Sequence, residues 1–457
     1  MVGSNVDSHA AVGALTADFL TAVRESLVAA EVDKLRKLAE GLHPADLADL
    51  IEVLEPGERV LLITMLGRSF NGEALAELDE HVRDELLEAL PHETIASALR
   101  RLDTDDALYL IEDLDRQEQQ EILAQVPPED RRAIDRALDY PEDTAGRLMQ
   151  AEFVAVPAYW TVGQTTDYMR TQRDLPDKFV EIYVIDEGFH LKGSMPVSRI
   201  LRHPRSKKIA ALVDEVSVVF NVSDSQEDVA YKFKQYNLVS APVVDENNRL
   251  VGALMVDDVV DVIQEEAEED ILHLGGVGDE ELSDSVWVII KSRFAWLFVN
   301  LLTALLASWV ISIFDATIQQ MVALAVLMPI VASMGGNAGT QTMTVVVRAL
   351  ATRELTPLNA LKVVWKESAV GLINGLLFAI IVGTFALWWF GSSQLGLVIA
   401  AAMVINLIAA ALSGILVPLA LDRLKIDPAI SSAVFVTTVT DVVGFFAFLG
   451  LGAIWLL

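Results

Sequence analysis

The sequence predicts a multidomain membrane protein: an all-α superhelical domain, a tandem pair of α+β units, an acidic connecting helix and a five-helix transmembrane domain. Three observations predict it. Charge and hydrophobicity are segregated: the 457 residues are 53% hydrophobic yet carry a formal charge of -31. Residues 284–457 hold seven acids against eight bases, and residues 1–283 hold 58 acids against 26. The apolar half contains runs near the ~20 residues a membrane helix needs, and the acidic half switches from helical to β-rich periodicity and repeats the β-rich unit once.

Residues 1–14 read as a flexible N-terminus. No basic stretch leads into an apolar run, because Asp18, Arg24 and Glu25 interrupt the Ala/Val/Leu pattern. A cleavable signal is therefore not expected, and the N-terminus should be cytoplasmic. With no Cys, disulfide frameworks, thiolate metal sites and cysteine nucleophiles are excluded. A net charge of -32 on the first 283 residues argues against nucleic acid and gathers cations instead.

Residues 15–140 read as short helices, with apolar residues at i, i+3 and i+4 and turns at Pro44, Pro56-Gly57, Pro91 and Pro127-Pro128. Leu42 to Leu54 aligns at a spacing of 60 with Leu102 to Leu114, the pattern of a small α-solenoid. Residues 141–262 read as two like units. The first has strands in Phe153–Val156, Ile182–Ile185 and Leu191–Ser194, then a helix start at Val197; the second has Val218–Asn221, Ala241–Val244 and Leu250–Met255, then a helix start at Val256. The second unit, with Asn237-Leu-Val-Ser-Ala-Pro-Val-Val-Asp-Glu, Leu250-Val-Gly and Asp257-Asp258, resembles the CBS module, which usually pairs in tandem. Such pairs bind adenine nucleotides in other proteins; here no Gly-rich phosphate cradle is legible, so a nucleotide is only the lesser expectation.

The connecting helix, residues 263–283, continues an acidic run from Asp257. Asp258, Asp261, Glu265, Glu268 and Glu269 recur at three-to-four-residue spacing, so many share a face where like charges repel. Hard divalent cations held through oxygen ligands would neutralise them.

Residues 284–457 hold five spans, expected at Phe294–Phe314, Ala316–Val347, Ser368–Phe390, Gln394–Leu421 and Pro428–Leu457. Their eight Lys and Arg (Lys291, Arg293, Arg348, Arg353, Lys362, Lys366, Arg423, Lys425) all fall on one side, which places the acidic half inside a cell (inner) membrane and Leu457 on the extracellular or periplasmic side. Small-residue faces (Gly371, Gly375; Ala401, Ala402; Ala409 to Ala411) suit close helix packing and predict a homodimer.

Only one acid sits deep. Asp441 lies 13 residues beyond Pro428, about 20 Å along a helix, with no Lys, Arg or His in the other spans to neutralise it. An ionisable group at that depth marks an ion path. A second polar cluster runs from Pro329 to Gln341, where a Pro and three glycines are expected to loosen span two and uncover carbonyls, and Asn337 and Gln341 share a face. With Ser333 and Thr437 of the same stretches, these residues offer carboxylate, amide, hydroxyl and carbonyl oxygens and no nitrogen or sulfur ligand. That lining suits Mg²⁺. Asn374 and Asn406 are also intramembrane, but a lone Asn more often bonds a neighbouring helix.

Three stretches, Tyr140-Pro-Glu-Asp-Thr-Ala-Gly-Arg-Leu-Met149, Gly335-Gly-Asn-Ala-Gly-Thr-Gln341 and Thr437 to Gly444, resemble the MgtE family of magnesium channels and transporters. The order of helical domain, CBS pair, acidic plug helix and five spans is similar over nearly the whole chain. The resemblance implies a homodimeric, Mg²⁺-selective pore whose ion site uses Asp441 and Asn337. It also implies closure by cytosolic Mg²⁺ bridging Asp258, Asp261, Glu266, Glu269 and Asp270, with Asp427 at the inner mouth and Asp103, Asp105 and Asp106 as helical-domain candidates. Mg²⁺ would be both substrate and regulatory ligand; Mn²⁺, Co²⁺ and Ca²⁺ are the competing ions.

The expected function is thus passive divalent-cation entry with feedback closure. A proton- or sodium-coupled transporter, with Asp441 as coupling carboxylate, is the alternative. An anion channel conflicts with the acidic deep charge, and an enzyme is not expected, because all seven His lie outside the spans and no deep Ser has a base.

Overall fold

The computed structural model describes residues 16–172, 175–176, 178–278, 286–356 and 358–456. The flexible N-terminus expected for residues 1–14 and the last part of the connecting helix, residues 279–283, lie outside the described residues. The chain divides into two compact units, Met1–Ile263 and Gln264–Leu457.

In the first unit, helices run from Ala17–Val28 to Pro128–Leu138 around one core that includes Leu35, Ile51, Ile63, Leu75 and Ile95. The 60-residue repeat reappears as matching helix starts. His43 and Asp103 precede Pro44–Val53 and Thr104–Tyr109; Glu55 and Asp115 precede Pro56–Leu66 and Arg116–Leu123. Equivalent side chains satisfy the carbonyls left over at the preceding helix end. The Arg59 guanidinium donates to the Ile51, Glu52 and Leu54 carbonyls at 3.1, 3.0 and 2.9 Å, and the Gln119 amide donates to those of Ile111 and Glu112 at 2.9 and 3.0 Å. The second copy's helix stops earlier, at Tyr109. There the buried Arg83 guanidinium lies 4.3 Å from the Tyr109 ring centre and donates to Asp113 at 2.7 Å, holding the turn that follows.

The two α+β units are copies of one topology. β1 (Ala155–Pro157) pairs parallel with β2 (Glu181–Ile185), which pairs antiparallel with β3 (Leu191–Pro196); β4 (Phe220–Asn221), β5 (Ser240–Val244) and β6 (Leu250–Met255) repeat the order. The register slips in the same place in both, between Val184 and Ile185 and between Val243 and Val244. Both first strands begin two residues later than the apolar runs predicted. Phe153 instead packs edge-on against Tyr183, at 6.3 Å between ring centres. The two hairpin loops meet, with the Leu250 N–H donating to Phe189 O at 2.9 Å and the Leu191 N–H to Asn248 O at 3.3 Å.

Tyr140 to Met149 is the joint between the helical domain and this pair. The Gly146 N–H donates to Val222 O at 2.9 Å, and a Cβ at Gly146 would sit 2.8 Å from the Tyr140 ring and 2.9 Å from Val222 O, so only glycine fits. Arg147 ties the joint back to the helices through Glu112 at 3.1 Å.

Among the described residues, the second unit contains five helices long and apolar enough to cross a membrane, within Val286–Ser312, Val322–Ala351, Ala360–Phe390, Ser393–Arg423 and Pro428–Trp455. Span four is the most enclosed. Spans one and three begin earlier than expected, at Ile289 and Ala360 rather than Phe294 and Ser368, and three further boundaries or packing roles differ from expectation. Span two begins at Val322 rather than Ala316, because Asp315–Gln320 forms its own short helix, closed by a Gln319–Asp315 hydrogen bond of 2.7 Å and broken at Met321. Span two is also one unbroken helix through Pro329 and its glycines, so the expected loosening does not occur. The glycines admit neighbours instead: a Cβ at Gly335 would lie 2.2 Å from Asn406 Nδ2, and one at Gly339 2.6 Å from Val436. Finally, the small residues read as a dimer face pack within the protomer, Gly371 against Ala411 and Gly375 against Val404. Ala402, Ala410 and Ala411 are buried there as well.

Candidate cation sites

Three groups of polar side chains stand out. The first lies in the first unit, where Thr104–Tyr109 meets the helix Val256–Leu274. Gln150 Nε2 donates to both Asp105 Oδ2 at 3.2 Å and Asp258 Oδ2 at 3.1 Å, so one amide is shared by two carboxyls. Asp105 Oδ1 is shut from solvent and has no hydrogen-bond partner among the described residues. Burial first, then the Asp258 and Asp106 charges, raises Asp105 well above the usual carboxylate range. Burial also pushes Asp258 up to about 7. Two carboxyls so placed hold on to a proton near neutrality or take a cation in its stead. Around them, Asp106 is pushed up to about 6 by burial and by Asp103, Glu77, Asp257 and Glu73, and Asp103 is raised by burial and by Glu152 and Glu73, against Lys178. Glu152 is itself oriented by the Thr104 hydroxyl at 2.7 Å.

The second group lies at the other end of that helix, in the membrane unit. Glu269, His273 and Asp427 place one ligand atom each within 4.8 Å of one another. His273 Nδ1 is 3.2 Å from Asp427 Oδ2 and 3.6 Å from Glu269 Oε1. Asp427 is positioned because it caps span five, its Oδ1 accepting the Ala429 N–H at 2.8 Å. Asp270 joins this group: burial, then the Asp427 charge, raises its carboxyl, and His273 offsets part of that.

The third group follows spans two and five. Ser333 and Asn337 lie on an exposed stripe one turn apart, Asn337 Nδ2 donating to Ser333 Oγ at 3.5 Å. Thr437 faces Gly336, 3.9 Å from where its Cβ would be, and Asp441 follows one turn further along span five, partly buried. Since the two helices run antiparallel, that register sets Asp441 level with Ser333 and Thr437 level with Asn337. Gln341, one turn inward, lines a cavity of about 190 Å³ with Glu367 and Asn374. Asn406 is fully buried and donates to Val331 O at 2.8 Å, the helix-bonding role expected of it.

Of the residues singled out in the sequence, Asp103, Asp105, Asp106 and Asp258 come together, as do Glu269, Asp270 and Asp427. Asp261 stands on the exposed side of its helix and Glu266 is partly buried between the two groups. Sequence reasoning missed Gln150, Glu152 and His273. His273 had a signal: it is the one imidazole in the acidic helix, four residues after Glu269.

Five apolar spans, a separate acidic unit, and oxygen-rich donor groups at both ends of the helix Val256–Leu274 define the class, a multi-pass membrane transport protein for divalent cations. Residues 328–451 match the MgtE divalent cation transporter family, residues 42–143 the MgtE intracellular N domain and residues 210–265 the CBS domain. The magnesium transporter MgtE of Thermus thermophilus is 32% identical over 453 residues, 95% of this chain and 98% of that one; that of Bacillus subtilis is 27% identical over 422 residues, 92% and 94% of the two chains. Among solved structures, the cytosolic domain of the Mg²⁺ channel MgtE in complex with ATP aligns with a TM-score of 0.50 at 30% identity, covering 53% of this chain and 99% of that one. The soluble part of a magnesium transporter aligns with a TM-score of 0.50 at 26% identity, covering 55% and 98%. The chain belongs to the MgtE family of magnesium transporters, with an intracellular N domain, and is not an enzyme.

Proposed function

We propose that this chain is a Mg²⁺-selective pore for passive entry, closed by Mg²⁺ bound to its cytoplasmic carboxylates. One observation carries the reading: the single helix Val256–Leu274 holds a carboxylate group at each end, Asp258 beside Asp105 and Glu269 with Asp270 beside Asp427. A cation at the first ties the helix to the helical domain, and one at the second ties it to the residue that caps the pore helix. Without cations these charges repel, and a ligand shifts such an equilibrium by its differential affinity.

The organisation that goes with this is a helical domain over residues 15–140, the CBS pair over 141–262, the plug helix over 263–283 and the membrane domain over 284–457. In the pore, Asp441 attracts the cation while Ser333, Asn337, Thr437 and Gln341 hold its waters, since Mg²⁺ dehydrates reluctantly and takes few direct carboxylates. The stripe of Ser333, Asn337 and Gln341 is exposed on a single protomer, and lipid offers these groups no hydrogen bonds. A second copy presenting the same face encloses it, which supports a homodimer with the pore on its axis. With five spans and an intracellular N domain, the span Pro428–Trp455 ends on the outer side of the cell membrane. Entry needs no coupled reaction: a divalent ion gains about 2 × 2.3 kcal/mol per 100 mV. The relative's ATP complex brings adenine nucleotide to the CBS pair here as a second ligand, testable by calorimetric titration of ATP.

The test is Mg²⁺ uptake into proteoliposomes under a negative-inside potential, with no pH or Na⁺ gradient. Uptake is expected to vanish in Asp441→Ala, to stop at millimolar Mg²⁺ on the cytoplasmic-domain side, and to persist there in Asp105→Asn/Asp258→Asn. Uptake that requires a pH or Na⁺ gradient would instead establish a coupled transporter and overturn the passive reading.

A further inference from the structure

The two carboxylate groups along the connecting helix differ in one chemical respect. The Asp105–Asp258 group offers carboxylates and the Gln150 amide, whereas the group at the inner mouth includes an imidazole. His273 is only 8% exposed, so its ring is held in place rather than swinging at a surface. Its Nδ1 is the atom turned toward both carboxylates, 3.2 Å from Asp427 Oδ2 and 3.6 Å from Glu269 Oε1. The three ligand atoms lie within 4.8 Å of one another, close enough for one ion to touch all three after small side-chain shifts.

Each ligand is independently positioned. Glu269 and His273 share a helix face at i, i+4 spacing. Asp427 spends Oδ1 on the Ala429 N–H, which leaves Oδ2 toward the imidazole. The next residue, Leu274, packs with Met343, Val347 and Ala429, anchoring this end of the helix on spans two and five. Hard Mg²⁺ gains little from a nitrogen ligand, whereas imidazole suits first-row transition metals, whose affinity for nitrogen–oxygen sites rises from Mn²⁺ through Co²⁺.

We propose that Glu269, His273 and Asp427 form a mixed nitrogen–oxygen site that binds first-row transition divalent cations more tightly than Mg²⁺. This rests on the gating reading for its consequence: the inner-mouth end of the helix would close on Mn²⁺ or Co²⁺ at concentrations below those needed for Mg²⁺. The Asp105–Asp258 end remains a Mg²⁺ site. The two ends therefore answer to different metals.

The probes are Mn²⁺ and Co²⁺ on the full chain in detergent or nanodiscs. Pulsed paramagnetic resonance of one equivalent of Mn²⁺ should show coupling to a ¹⁴N nucleus, and Co²⁺ should bind about tenfold tighter than Mg²⁺. His273→Gln should lose both the nitrogen coupling and the Co²⁺ preference. Glu269→Gln should weaken Co²⁺ while keeping the coupling, which guards against loss through misfolding, and Asp258→Asn should keep both. Absence of ¹⁴N coupling in the wild type, or an unchanged Co²⁺ preference in His273→Gln, overturns the proposal. Nitrogen-coupled Mn²⁺ in a protein whose uptake Mg²⁺ fails to stop establishes the site and removes the gating reading instead.

Discussion

Asp258→Asn should stabilise the cytoplasmic part of this protein when no divalent cation is present, and should erase its response to Mg²⁺. Burial pushes the Asp258 carboxyl up to about 7, about three pH units above an ordinary Asp, and each unit corresponds to about 1.36 kcal/mol. The folded state therefore holds this proton more tightly than the unfolded chain does. Its stabilising effect is complete below about pH 4, is lost as pH rises from about 4 to 7, and is absent above that window. Between pH 5 and pH 8 the metal-free wild type should lose about 2–4 kcal/mol, allowing for relaxation around the pair. Asparagine keeps an oxygen for Gln150, offers Asp105 a donor and carries no charge, so the variant should lose clearly less over the same range, the remainder coming from Asp105 and Asp106, which burial still raises. Mg²⁺ neutralises the pair by another route: at a hundred times its Kd it should restore about 2.7 kcal/mol at pH 8. At pH 5 protons occupy the carboxyls and Mg²⁺ should add little. The assay is urea unfolding of residues 1–277 at pH 5 and 8 with and without Mg²⁺; the soluble part of a magnesium transporter, which matches 55% of this chain, has been solved on its own. A metal-free wild type equally stable at both pH values, or a variant as responsive to Mg²⁺ as wild type, would refute the reasoning.

Two further outcomes test the packing that positions these sites. Gly335→Ala would place a Cβ 2.2 Å from Asn406 Nδ2, whose hydrogen bond to Val331 O is buried; the full chain in detergent should lose about 1–3 kcal/mol, read as a lower Tm. Gly146→Ala would press on the Tyr140 ring and on the Val222 carbonyl oxygen, so residues 1–277 should unfold at lower urea by about 1–3 kcal/mol, while uptake by the membrane domain is affected only through the gate. An unchanged midpoint in either variant shows that the surrounding helices or the joint yield more easily than their close contacts imply.

Much of the architecture was legible because it rests on local, periodic signals. The 60-residue repeat surfaces as matched helix starts, down to Arg59 and Gln119 in equivalent capping roles. The strand runs of both CBS-like units were visible because β-branched stretches bounded by turn residues need no tertiary information. The glycines of span two were misread for the opposite reason. Gly335 and Gly339 mark close contacts with Asn406 and Val436, partners about 70 and 97 residues away, and nothing local distinguishes that from a helix about to unwind. The small faces of spans three and four mark close approach in the same way, Gly371 against Ala411 and Gly375 against Val404 of the neighbouring span.

The sequence by itself determined the segregation of charge from apolar length, the number of spans, the sidedness of the basic residues and the isolation of Asp441, because each depends on composition along the chain. Only the tertiary structure decided which acids act together. Asp105 and Asp258 are 153 residues apart and share one amide from Gln150; His273 and Asp427 are 154 apart and lie 3.2 Å from each other. Desolvation and Coulomb coupling fall off over a few ångströms and depend on what covers a group. A sequence holding 65 acids names many candidates, and packing selects the few that must share a proton or a metal.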